Sequence, residues 1–126
     1  MPSRDIPREK WVTFLDSFSR QHERWLVNME VVTDGLGVHK ELREKPLIGV
    51  SADLKTSGSG TISIIAGERS DDHVNHIING PTRLALEETE EGAHKGLRIE
   101  VADGGTTLLL FRSPASPETV DGVLLP

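Results

Sequence analysis

The sequence predicts an α+β fold: an N-terminal amphipathic helix packed on a twisted antiparallel sheet or partly closed barrel of about six or seven strands. Three observations carry that expectation. An aromatic stripe near the N-terminus repeats at helical spacing, the chain after it repeats every second residue, and glycine-bearing turn signals punctuate the alternating stretches.

The helix is expected from about Pro7 to about Gln21, within IPREKWVTFLDSFSRQ. Trp11, Phe14, Leu15 and Phe18 fall at i, i+3, i+4 and i+7, which gathers them on one face. Pro7 suits the first turn, where its missing N–H has no helical partner. Glu9 and Arg20 complement the positive and negative ends of the helix dipole. Together with Trp25 these four apolar side chains form the expected structural core of the N-terminal third.

From about residue 24 to residue 112 the chain reads as β-rich. In RWLVNMEVV, Trp25, Val27, Met29 and Val31 alternate with Leu26, Asn28, Glu30 and Val32. PLIGVSADL repeats the alternation through Ile48, Val50, Ala52 and Leu54. TISIIAGE continues it through Ile62, Ile64 and Ala66, with KTSGSG as the turn between them. DHVNHII and TRLALEE read as further strands. The strongest local signal is LRIEVADGGTTLLLFR, a hairpin in which Asp103-Gly104-Gly105 supplies residues that accept positive φ. TEEGAHKG is polar and reads as a mobile loop, and DGLGVHKELREK as a loop or a short helical turn. Residues 113–126, with three prolines in SPASPETVDGVLLP, read as an irregular tail whose Val120, Val123, Leu124 and Leu125 are suited to cover a sheet edge or meet another subunit.

Composition narrows the function. The 126 residues, 36% apolar and 27% charged, fit one domain spanning 1–126. No cysteine is present, which removes disulfides, thiolate metal ligands and cysteine nucleophiles and makes the reducing cytoplasm the expected compartment. The first twenty residues carry charges throughout, and no stretch approaches the roughly 18 apolar residues that span a bilayer, so neither export nor membrane insertion is expected. The net charge is −6, with the acidic excess beyond residue 48. That balance, and the confinement of four of five aromatic rings to residues 11–25, argue against a nucleic-acid partner.

The candidate sites are sparse. His73 and His76 in DDHVNHIING have the spacing of an i, i+3 metal pair on a helix, but on a strand residues three apart face opposite sides, so no metal and no other cofactor is expected. On the same strand Asp71 and His73 share a face about 7 Å apart, close enough for a carboxylate–imidazole contact. Asp71, His73 and His22, just beyond the aromatic helix face, are the candidates for a catalytic role. No G-x-S-x-G elbow, P-loop lysine spacing or helix-opening G-x-G-x-x-G occurs. The adjacent acidic pairs, such as Glu87-Glu88, point opposite ways on a strand.

IPREKWVTFLDSFSRQHERWLV, with Ile6, Pro7, Arg8, Trp11, Phe14, Leu15, Ser17, Phe18 and Ser19, and GPTRLALEETEEGAHKGLRIEVADGGTTLLLFRSP resemble a family of small uncharacterised bacterial proteins, a domain of unknown function, over most of the chain. The resemblance implies a bacterial, cytoplasmic, single-domain protein and carries over no catalytic residue, ligand or partner. The function expected is therefore a noncatalytic binding or interaction domain, self-associating as a homo-oligomer through a sheet edge or the apolar tail, or taking an unidentified protein or small-molecule ligand. The alternative is a small hydrolase or isomerase using a His/carboxylate pair.

Overall fold

A computed structural model of the chain describes residues 3–33, 37–54, 60–68, 72–102 and 104–115. The element order is β1 (Ser3–Asp5), a 3-10 turn (Arg8–Lys10), α1 (Trp11–Gln21), β2 (Leu26–Thr33), β3 (Gly37–Asp53), β4 (Thr61–Ala66), β5 (Val74–Asn79), β6 (Pro81–Glu88), β7 (His94–Val101) and β8 (Thr106–Ala115). All eight strands join one antiparallel sheet in the order β1-β6-β7-β8-β2-β3-β4-β5. Among the described residues the sheet is not closed. Among the described residues no ladder joins β1 to β5, although β5 runs straight into β6 through Gly80, whose φ of 66° turns the chain where its N–H bonds the Gly60 carbonyl at 3.0 Å.

The strand β3 explains how so long a sheet folds onto itself. Its first half pairs with β2 as far as Pro46, opposite Leu26; from Leu47 onward it pairs with β4 instead. Proline has no N–H to donate, so it is tolerated where a ladder lapses. Beyond Pro46 the side of β3 that faced β2 lies open, and α1 fills it. The Ser19 hydroxyl accepts from the Val50 N–H at 2.8 Å and donates to the Val50 carbonyl at 2.9 Å. Arg24 N–H bonds the Leu47 carbonyl and Leu47 N–H the Trp25 carbonyl, at 2.7 and 2.8 Å. The helix therefore runs along a strand edge as well as packing its apolar face on the sheet. Backbone groups that must be satisfied when buried decide its place as much as its apolar face does.

That face still enters the core. Trp11, Leu15 and Phe18 are buried, while Phe14 and Trp25 are partly buried against the same cluster. Full burial of three such side chains contributes at most about 5 to 9 kcal/mol. Val27, Met29, Ile62, Ile64, Leu84, Leu86, Leu97, Ile99 and Leu109 supply the sheet's inner face. The alternation read from TISIIAGE and LRIEV matches this burial pattern.

Several expectations need correction. The described residues form eight strands, one of them, β1, preceding the helix. DGLGVHKELREK supplies the first half of β3 from Gly37 onward; Val38, His39, Arg43 and Glu44 are exposed there, so no apolar alternation marks it. TEEGAHKG holds a tight turn fastened by Thr89 N–H to the Ala93 carbonyl at 2.8 Å, after which His94 begins β7. Ser113–Ala115 belong to β8, with Ala115 opposite His94. The KTSGSG turn from residue 55 to 59 and the tail from residue 116 lie outside the described residues.

Candidate functional site: the β5 edge and a buried histidine

On β5, Val74, His76 and Ile78 face the sheet interior, while Asn75, Ile77 and Asn79 face outward and are exposed. It pairs with β4 from Thr61↔Asn79 to Ala66↔Val74 without a bulge. Among the described residues its other edge has no neighbour in the sheet. Strand edges are usually blunted by charge, proline, bulges or brevity. The opposite edge, β1, obeys that rule with three residues that include Arg4 and Asp5. In contrast, β5 has six residues, VNHIIN, with no Asp, Glu, Lys or Arg, no proline and no register break. Ile77 at its middle is 52% exposed.

His73 is exposed just before β5, and His76 is half-buried on its inner face beside Ile78. Asp71 lies outside the described residues, so the carboxylate proposed beside His73 has no described position. No group of three or more metal-ligating side chains occurs among the described residues.

His22 is brought together with His94, a partner 72 positions away. It follows Gln21 at the end of α1 and is wholly buried, with its ring against Phe18, Trp25, His94 and Phe111. Nδ1 lies 2.8 Å from the Phe18 carbonyl, which can only accept, so Nδ1 carries the hydrogen. Nε2 is left as an acceptor, and the His94 Nδ1–H donates to it at 3.3 Å. Burial lowers the His22 pKa to about 4 against the opposing pull of the Phe18 carbonyl, with the His94 charge adding to the lowering. Burial also lowers the His94 pKa, opposed by Glu88 and reinforced by Arg4. At neutral pH His22 is a neutral ring engaged at both nitrogens. It caps a helix end and has no free lone pair with which to take a proton from a substrate.

Sequence reasoning placed His22 beyond the aromatic face, yet the signal for its burial was present. Trp11, Leu15, Phe18 and His22 stand at i, i+4, i+7 and i+11, so the imidazole continues the apolar stripe. His94, across the fold on β7, left no local sign.

Glu87 and Glu88 diverge as alternation requires. Glu87 is buried, accepts from the Ser3 hydroxyl and pairs with Arg98; Glu88 pairs with Arg4 on the other side. Arg83 bridges Asp5 at 2.7 Å and Glu100 at 2.9 Å, and Arg98 continues the outer ladder to Glu87. These ion pairs tie β1, β6 and β7 together.

A profile described as a family of unknown function (DUF5335) matches residues 2–120. The chain belongs to that family. A relative from Aquifex aeolicus strain VF5, called an uncharacterized protein, is 34% identical over 118 residues, covering 93% of this chain and 97% of its own. No solved structure matches the chain. No function accompanies the family or this bacterial relative, and nothing in either favours the hydrolase or isomerase alternative. No helix among the described residues is long and apolar enough to cross a membrane.

Proposed function

We propose that the chain is a noncatalytic interaction domain that self-associates by pairing β5 with the β5 of a second copy. The observation that carries this reading is the contrast between the two sheet edges: β1 is short and charged, whereas β5 is regular, carries no Asp, Glu, Lys or Arg and exposes Ile77. A two-fold axis normal to the sheet keeps the inner faces of both copies on one side, which requires paired residues to have the same inward or outward sense. An axis at Ile77 meets that condition. Ile77 then faces Ile77, Asn75 faces Asn79, and His76 faces Ile78, so the exposed apolar side chains cover each other between amide pairs.

Five paired residues on each side, Asn75 to Asn79, add about four to six backbone hydrogen bonds. Such a contact falls well below the roughly 1,200 Å² of stable interfaces, so the association is expected in the micromolar range or weaker. Sedimentation equilibrium of the full chain from about 10 to 500 μM tests it. The unaltered chain should show a monomer–dimer equilibrium, and Ile77→Lys should remain folded by circular dichroism but monomeric. Two other outcomes overturn the reading: an unaltered chain that stays monomeric throughout, or an Ile77→Lys chain that still dimerises. Truncation after residue 116 separates the tail from the edge, because it leaves the Ala115↔His94 pairing intact. Loss of the dimer on truncation but not with Ile77→Lys would assign the contact to the tail.

A further inference from the structure

The one titratable side chain on β5 is His76, half-buried on the inner face between Val74 and Ile78 and directly opposite Ile64 of β4. It lines a mainly apolar cleft of about 280 Å³ between β5 and the ends of β2, β7 and β8. Across that cleft stand Val31 and Thr33 of β2, Ile99 and Val101 of β7, and Thr106 and Thr107 of β8. Among the described residues no Asp, Glu, Lys or Arg lines it. Along the chain, His73 is exposed just before the strand. Asp72, the nearest described carboxylate in sequence, is engaged by Lys45 at 3.7 Å and by the Glu68 N–H at 2.9 Å. A proton on His76 therefore places its charge beside aliphatic and hydroxyl side chains, with no carboxylate among the described residues of the cleft to balance it.

We infer that protonation of His76 controls the pairing of β5 with the β5 of a second copy: the dimer forms with both imidazoles neutral and separates when they take up protons. This inference rests on the edge pairing proposed above. With the two-fold axis at Ile77, His76 stands opposite Ile78 of the second copy. The two His76 side chains then share the inner face as diagonal neighbours, about 7 to 8 Å apart at the backbone. Each ring gains an aliphatic neighbour and loses water on the side that was the open edge, which raises the cost of a charge there. Two imidazolium rings so placed also repel each other across the strand pair. Both effects act in one direction. The dimer binds protons less readily than two separate chains do, so association releases protons. It is strongest above the imidazole range and weakens as the pH falls through it. Asn75 and Asn79, which face each other on the outer side, have no titratable group and add nothing to this dependence.

The test is sedimentation equilibrium of the full chain at about pH 8 and about pH 6, either side of the imidazole range's midpoint, with circular dichroism at both to show that the fold is kept. The dimer of the unaltered chain should weaken about 3- to 10-fold at the lower pH, the order of one or two cross-strand charge contacts. His76→Gln, which stays neutral, should dimerise equally at both. His73→Gln, altered at an exposed position outside the paired residues, should behave like the unaltered chain. Absence of a dimer at the higher pH overturns the edge pairing, and this inference with it. A dimer that is as tight or tighter at the lower pH, or that weakens to the same extent in His76→Gln, overturns the control by His76 and leaves the edge pairing standing. Should His76→Gln fail to fold, NMR titration of the His76 ring in the unaltered chain decides. Its midpoint should move to lower pH as the protein concentration is raised, and a midpoint independent of concentration overturns the inference.

Discussion

Acidification should unfold this protein through His22, and the size of the effect follows from its surroundings. The ring is wholly buried among Phe18, Trp25, His94 and Phe111, and its pKa is lowered from the usual 6.5 to about 4, chiefly by burial. The folded state thus resists a proton that the unfolded chain takes up readily. Because the folded pKa is depressed, the unfolded chain binds more protons between pH 6.5 and about 4, and stability falls as pH falls through that window. Above pH 6.5 the contribution is constant. At pH 5 the loss relative to pH 8 reaches at most about 2 kcal/mol, and it tends to about 3 kcal/mol below pH 4. For a domain of this size 2 kcal/mol is a large share of the whole. Urea unfolding followed by the fluorescence of Trp11 and Trp25, repeated from pH 8 to pH 4.5, measures it. His22→Gln, which keeps a donor for the Phe18 carbonyl, should be less stable at pH 8 and should lose about 2 kcal/mol less on going to pH 5. An unchanged pH slope in His22→Gln, or a His22 ring that titrates near 6.5 by NMR, would refute the assignment.

Further outcomes concern how the fold is held. Ser19→Ala should destabilise by about 1 to 3 kcal/mol, because Val50 N–H and C=O both lose their partner on the edge of β3; thermal or urea melts check it, and a change within error would mean that α1 is held by its apolar side chains alone. Gly96→Ala should cost about 3 kcal/mol or more, since φ is 151° and an added Cβ would lie 1.9 Å from the Leu109 carbonyl oxygen. A melt like that of the unaltered chain would contradict the β7–β8 register at that point.

How much of this was legible in the sequence depended on how locally each feature is decided. The inward residues Ile62, Ile64 and Ala66 announce β4 because one face is buried and the other is not. The β7–β8 hairpin announces itself through Asp103-Gly104-Gly105 between two apolar runs. The first half of β3 is hidden because many of its side chains meet water, and its bulge near Glu44, where φ is 50°, breaks any period. The place of α1 was equally unreadable. It is set by unpaired backbone on β3 beyond Pro46, and a backbone vacancy has no residue code. The contacts between His22 and His94 and between Ser3 and Glu87 join positions far apart in the chain and follow from topology alone. For the β5 edge, the run VNHIIN, without Asp, Glu, Lys or Arg, was visible, but that it ends the sheet is a property of strand order.

The most direct measurement of β5 pairing uses the chain's lack of cysteine. Across an antiparallel pair the Cα atoms are about 4.5 to 5.5 Å apart, within the roughly 4.4 to 6.8 Å that a disulfide spans. Single substitutions Ile77→Cys and Val38→Cys, at positions 52% and 56% exposed, differ in location rather than in access. Under mild oxidation Ile77→Cys should form a covalent dimer quickly, and an equal mixture of Asn75→Cys and Asn79→Cys should cross-link into the mixed pair, while Val38→Cys should remain largely monomeric. Cross-linking of Ile77→Cys no faster than that of Val38→Cys would contradict self-association along β5.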